Sequence, residues 1–102
     1  MTMTPEASAT LRQAFAIAEG DPHGALKLLD AGVTVATSAG SWASVSALAK
    51  HAGAICIGVG DHRRALKYFE SALIGEPDDS YVHLAIAGTA RVLGMQIGRA
   101  HV

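Results

Sequence analysis

The chain has 102 residues, the size of one domain rather than two. Half of them are hydrophobic, but only 5% are aromatic and 17% charged, so this is a globular chain whose core is built largely from small side chains, 20 of them alanine. A net charge of −1, with no basic cluster larger than Arg63-Arg64, gives no pull on nucleic acid or an anionic membrane surface, and neither is expected as a partner.

The elements are read from helix start and stop chemistry. Thr4-Pro5-Glu6 offers a cap, a proline at the first helical position and an acid in the first turn. The helix it opens carries Leu11, Ala14, Phe15 and Ala18 on one face and stops at Gly20. Asp21-Pro22 starts a second helix with Ala25, Leu26, Leu29 and Val33 at helical spacing, expected to be short and to fade between Thr34 and Gly40, so that the first hairpin spans 5–36. Ser41 caps a third, running through Val45, Leu48, Ala49, Ala52, Cys56 and Val59 to Gly60. Asp61 caps a fourth, with Ala65, Leu66, Phe69, Ala72 and Leu73 on one stripe, ended by Gly75 and Pro77; these two make a hairpin over 41–75. Asp78-Asp79-Ser80 launches a terminal helix over 79–98. The expected fold is all-α, with about five helices in two hairpins and a lone helix. The alternative is a small α/β domain in which Val33–Thr37 and Ile55–Val59 are strands. Caps weigh against it, since a strand at Ile55 would orphan the preceding helix.

An internal repeat supports the helical reading. Gly20-Asp21 followed by Ala25-Leu26-Lys27 recurs as Gly60-Asp61 followed by Ala65-Leu66-Lys67, 40 residues later, the mark of a stacked supersecondary unit. Counted from Ser46, the second unit places small residues at Gly53, Ala65 and Ala72, an aromatic at Phe69 and a closing proline at Pro77. In these positions it resembles a tetratricopeptide repeat. The first unit matches less: Ala25 fits, but Leu29 stands for the aromatic, Gly32 for an alanine, and no proline closes it. The offset of 40 exceeds the family's 34, which places six extra residues between Val33 and Trp42 as a longer second helix or a longer loop. The resemblance implies a right-handed superhelical array of antiparallel hairpins over 1–102. It further implies a concave groove that holds a peptide or helix of another protein, the work of a scaffold or adaptor.

The side chains capable of chemistry fit plain packing roles better. No two of the five histidines stand at metal-ligand spacing on one helix, and they are expected in first turns and on solvated faces. Cys56, amid Ile55, Ile57 and Val59, is expected to be a buried, inert thiol. Gly58-Val59-Gly60 fails as a dinucleotide loop because Arg63 stands at the third glycine position. No nucleophile motif is visible, so no catalytic residue, metal or cofactor is expected.

The resemblance maps the groove lining to Thr10, Ala14 and Ile17 on the first helix and to Ala47, Lys50, Ala54 and Ile57 on the third. On the fifth it maps to Tyr81, Leu84, Gly88 and Arg91. Lys50, Ala54, Ile57, Tyr81, Leu84 and Arg91 are the expected partner-binding residues. Their small, apolar character fits an amphipathic helix, and the absence of asparagine disfavours the terminal-carboxylate clamp known in the family. The competing explanation is that small residues merely let helices pack closely. Trp42 is expected as a core residue at a hairpin edge, with an exposed anchor as its alternative.

The fifth helix lacks the polar outer face of a terminal repeat. Its Val82, Ile86, Leu93 and Ile97 side suits packing on the fourth helix, while Leu84, Gly88, Val92 and Met95 are left for a homodimer interface. A sixth helix beyond Val102 is the alternative cover. A self-assembling structural module and a secretion-type chaperone for a helical client therefore stay open beside the groove reading. No apolar run reaches the ~20 residues of a membrane span, Met1–Ala9 does not read as a signal peptide, and one cysteine forms no internal disulfide. A cytoplasmic location is the expectation.

Overall fold

A computed structural model describes the backbone of residues 2–100 and the side-chain environments of residues 2–95. It is all-α: α1 (Pro5–Ala18), α2 (Pro22–Ala39), α3 (Trp42–Gly58), α4 (His62–Gly75) and α5 (Ser80–Ala100), with no strand among the described residues. Four N-termini carry the expected side-chain caps. The side-chain oxygens of Thr4, Asp21, Asp61 and Asp79 accept from the backbone N–H groups of Ala7, Gly24, Arg64 and Val82 at 3.2, 2.9, 3.2 and 3.2 Å. A cap of this kind contributes about 1 kcal/mol. Ser41 occupies its cap position without such a bond.

Helix α2 corrects the expectation of a short, fraying element. It runs 18 residues to Ala39, so the residues in excess of the family's repeat length are helix, not loop. The Thr34 and Thr37 hydroxyls donate to carbonyls four residues back, at Asp30 and Val33, which keeps these weak helix formers inside the helical pattern. Gly40, at φ 70°, then ends the helix, with the Ser41 N–H returning to the Ala36 carbonyl at 2.9 Å. Gly60, at φ 82°, ends α3 the same way, with the Asp61 N–H on the Cys56 carbonyl. Only the left-handed conformation aims those N–H groups backwards, and it favours glycine. Both segments considered as strands lie in these helix ends, which removes the α/β alternative.

Each helix packs on the next in the chain, and α1 also touches α3. The core is thin. Leu26, Leu29, Leu48, Phe69 and Val82 are its large members, set among Ala14, Ala25, Ala49, Ala52, Ala65 and Ala72. Phe69 lies directly against the α3 backbone: a Cβ at Gly53 would fall 2.7 Å from its ring. At the other end of the hairpin, a Cβ at Gly75 would collide with the Trp42 carbonyl. Polar clasps reinforce the stack. The Ser46 hydroxyl donates to the Ala72 carbonyl at 2.6 Å, and the Tyr68 hydroxyl donates to Asp30 at 2.6 Å, tying α4 back to α2.

Three apolar assignments need correction. Phe15 is 57% exposed rather than on the buried face of α1, Val59 is exposed at the C-cap of α3, and Trp42 is 37% exposed at the first residue of α3 rather than in the core. Trp42 and Val59 stand at the two ends of α3, where its packed face gives out, and Phe15 turns toward His51 of α3. Tyr68, not expected in the core, is buried because its hydroxyl has Asp30 to bond.

Candidate partner-binding groove

Helix α5 packs on α4 but not closely on α3. Between α3 and α5 this leaves an open, apolar groove of ≈ 540 Å³. Ala54 and Ile57 form its α3 wall, Phe69 and His62 of α4 its floor, and Tyr81, Leu84, Gly88 and Val92 its α5 wall, with Ala85 and Thr89 beneath. Four of the six expected partner-binding residues, Ala54, Ile57, Tyr81 and Leu84, therefore meet in one place. So do Leu84, Gly88 and Val92, expected for a homodimer interface, so that the two expected surfaces, which share Leu84, overlap in the groove. Leu84 is 74% exposed and Tyr81 54%. Met95 is exposed one turn further along α5, outside the groove lining. Ile97 lies outside the residues whose side chains are described.

The two expected groove charges stand elsewhere. Arg91 is exposed and does not line the groove. Lys50 is not a free cation: its ammonium makes a 2.7 Å ion pair with Asp79, which also caps α5. The shared hydrogen bond raises the Lys50 pKa against the opposing effect of burial, and it holds the Asp79 carboxyl below its ordinary value. The pair fastens the start of α5 to α3 one helical turn from Ala54. Asp79 was read from sequence only as part of a helix start; its spacing to Lys50 across α4 carries no periodic signal.

On α1 the expected lining also shifts. Ala14 is buried, and the Thr10 hydroxyl donates to its own helix at the Glu6 carbonyl. Phe15 instead faces α3, edge-on to His51, with ring centroids 4.7 Å apart at an interplanar angle of 78°. His51 is half-buried, not solvated as expected, and desolvation, helped by the Lys50 charge, lowers its pKa. A small cleft of ≈ 190 Å³ lies beside this pair. A further groove of ≈ 470 Å³ runs between α1 and α2, where Val35 is the one large apolar side chain counted as exposed. The α3–α5 groove offers three such side chains, Ile57, Tyr81 and Leu84, where a partner's large residues could anchor.

Cys56 is fully buried, as expected, and burial pushes its thiol pKa up, the opposite of an activated nucleophile. Among the described residues, no three His, Cys, Asp or Glu side chains gather in a group able to hold a metal ion. No described helix is long and apolar enough to cross a membrane. Comparison with protein-family models, with curated proteins and with solved structures finds no match.

Proposed function

We propose that this chain is a tetratricopeptide-like, non-enzymatic interaction module whose α3–α5 groove takes the apolar face of a helix from a protein partner. The observation that carries the reading is the exposure of Ile57, Tyr81 and Leu84 around a recess floored by Phe69 and flanked by Gly88 and Ala54. Large side chains on the walls and small ones between them are what an amphipathic helix needs to seat its own large residues. Covering a Leu, an Ile and a Tyr in this way is worth about 5 kcal/mol before the cost of association. Ion pairing of Lys50 with Asp79 fits a positioning role, holding the two walls at a set separation. A cytoplasmic setting belongs to the same proposal and suits a free, buried thiol.

Charge insertion tests the reading. Ile57→Glu and Leu84→Glu should each abolish co-purification of the partner from native cells, while Val35→Glu, on the α1–α2 face, should leave it intact. All three sites are exposed, so the fold tolerates the changes. Capture that survives both groove substitutions overturns the proposal.

A further inference from the structure

We infer that the helix filling this groove is α5 of a second copy of the chain, lying antiparallel on α5 across a two-fold axis at Gly88. This rests on the groove reading and names its partner. The stripe of α5 on which Tyr81, Leu84 and Met95 are exposed and Gly88 and Val92 half-buried is balanced about that glycine: Leu84 and Val92 stand four residues to either side, and Tyr81 and Met95 seven. At 100° per residue all five positions fall within 40° of one line along the helix. A two-fold axis through Gly88 therefore sets Leu84 opposite Val92 of the second copy and Tyr81 opposite its Met95, the self-complementarity that an isologous interface requires.

Gly88 supplies an independent observation. A glycine inside a helix weakens it relative to alanine; packing within the chain accounts for Gly53 and Gly75 but not for Gly58, Gly88 or Gly94, and of these three only Gly88 stands at the centre of the α5 stripe. A Cβ at Gly88 would meet nothing within 4 Å. On the proposed axis the same atom would stand between two helix backbones, and its absence lets them approach. Area points the same way. The exposed portions of Ile57, Tyr81, Leu84 and Met95 amount to roughly 400 Å² per copy. With Val92 and the stem of Arg91, the pair reaches about 1,000 Å² in total, the size of a weak, concentration-dependent dimer rather than the roughly 1,200–2,000 Å² of a permanent one. The two-fold keeps Arg91 and its counterpart on one flank of the helix pair, six residues or about 9 Å apart along the helix axis, where both are open to solvent.

The experiment is sedimentation equilibrium of the full chain from micromolar to sub-millimolar concentration, joined to a register test by cross-linking. A dimer is expected, weakened at least tenfold by Leu84→Glu, with circular dichroism confirming that the variant is folded. Under mild oxidation, Leu84→Cys mixed with Val92→Cys should form an intermolecular disulfide faster than either protein alone, because each introduced thiol faces the other across the axis and not itself. Gly88→Ala, which has room within the chain, should keep the fold and weaken the dimer. A chain that stays monomeric throughout, or a dimer whose cross-linking ignores this register, overturns the inference. A monomer whose Ile57→Glu variant still loses a protein partner overturns only the second copy as occupant. Loss of the groove reading itself shows as partner capture untouched by both Ile57→Glu and Leu84→Glu.

Discussion

Replacing Gly53 by alanine sets helix propensity against close packing at a point where the packing should win. In an open helix interior the change stabilises by about 1 kcal/mol. At Gly53 the new methyl would stand 2.7, 2.8 and 2.9 Å from three carbons of the Phe69 ring. Phe69 is 1% exposed and held between α3 and α5, so the ring cannot swing into solvent. Forcing a methylene-sized group into such a core costs about 1–3 kcal/mol, and three simultaneous overlaps put Gly53→Ala toward the upper end. The expected net loss is about 1–2 kcal/mol, read as a lower urea midpoint at unchanged m-value. Gly94→Ala is the control: it lies inside α5 with nothing within 4 Å, and should gain up to about 1 kcal/mol. Shortening the ring in Gly53→Ala/Phe69→Leu should recover part of the loss beyond additivity. If Gly53→Ala stabilises the chain as Gly94→Ala does, Phe69 does not rest on the α3 backbone and the groove floor is misplaced.

Tyr68→Phe removes the donor to Asp30 and should cost about 1 kcal/mol in urea unfolding. Burial, with the Asp30 bond second, pushes the Tyr68 pKa up to about 12, so stability is full below pH 10 and falls as the pH rises through 10 to 12; Tyr68→Phe should flatten that limb. Asp79 has a lowered pKa, so its contribution is present above the ordinary carboxylate range and lost as the pH falls through it. Asp79→Asn should make the acid limb of the melting-temperature profile shallower, and an unchanged limb would refute the Lys50–Asp79 strut. For His51, NMR titration should give a pKa below 6.5, and Phe15→Ala, by admitting water, should move it back upward; no movement would mean that Phe15 does not shield the ring.

How much of this was legible in the sequence depended on whether the signal was local. Caps at Thr4, Asp21 and Asp61 lie within three residues of the groups they satisfy, and all three helix starts followed from them. The end of α2 was misjudged because Thr34 and Thr37 are poor helix formers by composition. Their hydroxyl bonds to Asp30 and Val33 form only once the helix exists. The exposure of Phe15 and Trp42 depends on how far a neighbouring helix reaches over them, which spacing along one helix does not record. Ala54, Ile57, Tyr81 and Leu84 were placed together through the family resemblance and meet in the groove. Lys50 shares their helix face, yet its pairing with Asp79, 29 residues on, is set by where the turn after α4 brings the start of α5 beside α3. The expected partner-binding and homodimer sets share Leu84, and Gly88 stands in the expected groove lining; that Val92 joins them depends on how loosely α5 packs on α3, which no local spacing records.

The central claim is that a helix occupies the α3–α5 groove, and site-specific photocrosslinking in native cells tests it most directly. A benzophenone side chain at Ala54, exposed on the groove wall, should yield a covalent protein adduct whose cross-linked peptide is helical and apolar on one face. The same probe at Val35 should yield none. Adducts from Val35 with none from Ala54 would contradict the account and move the binding surface to the α1–α2 face.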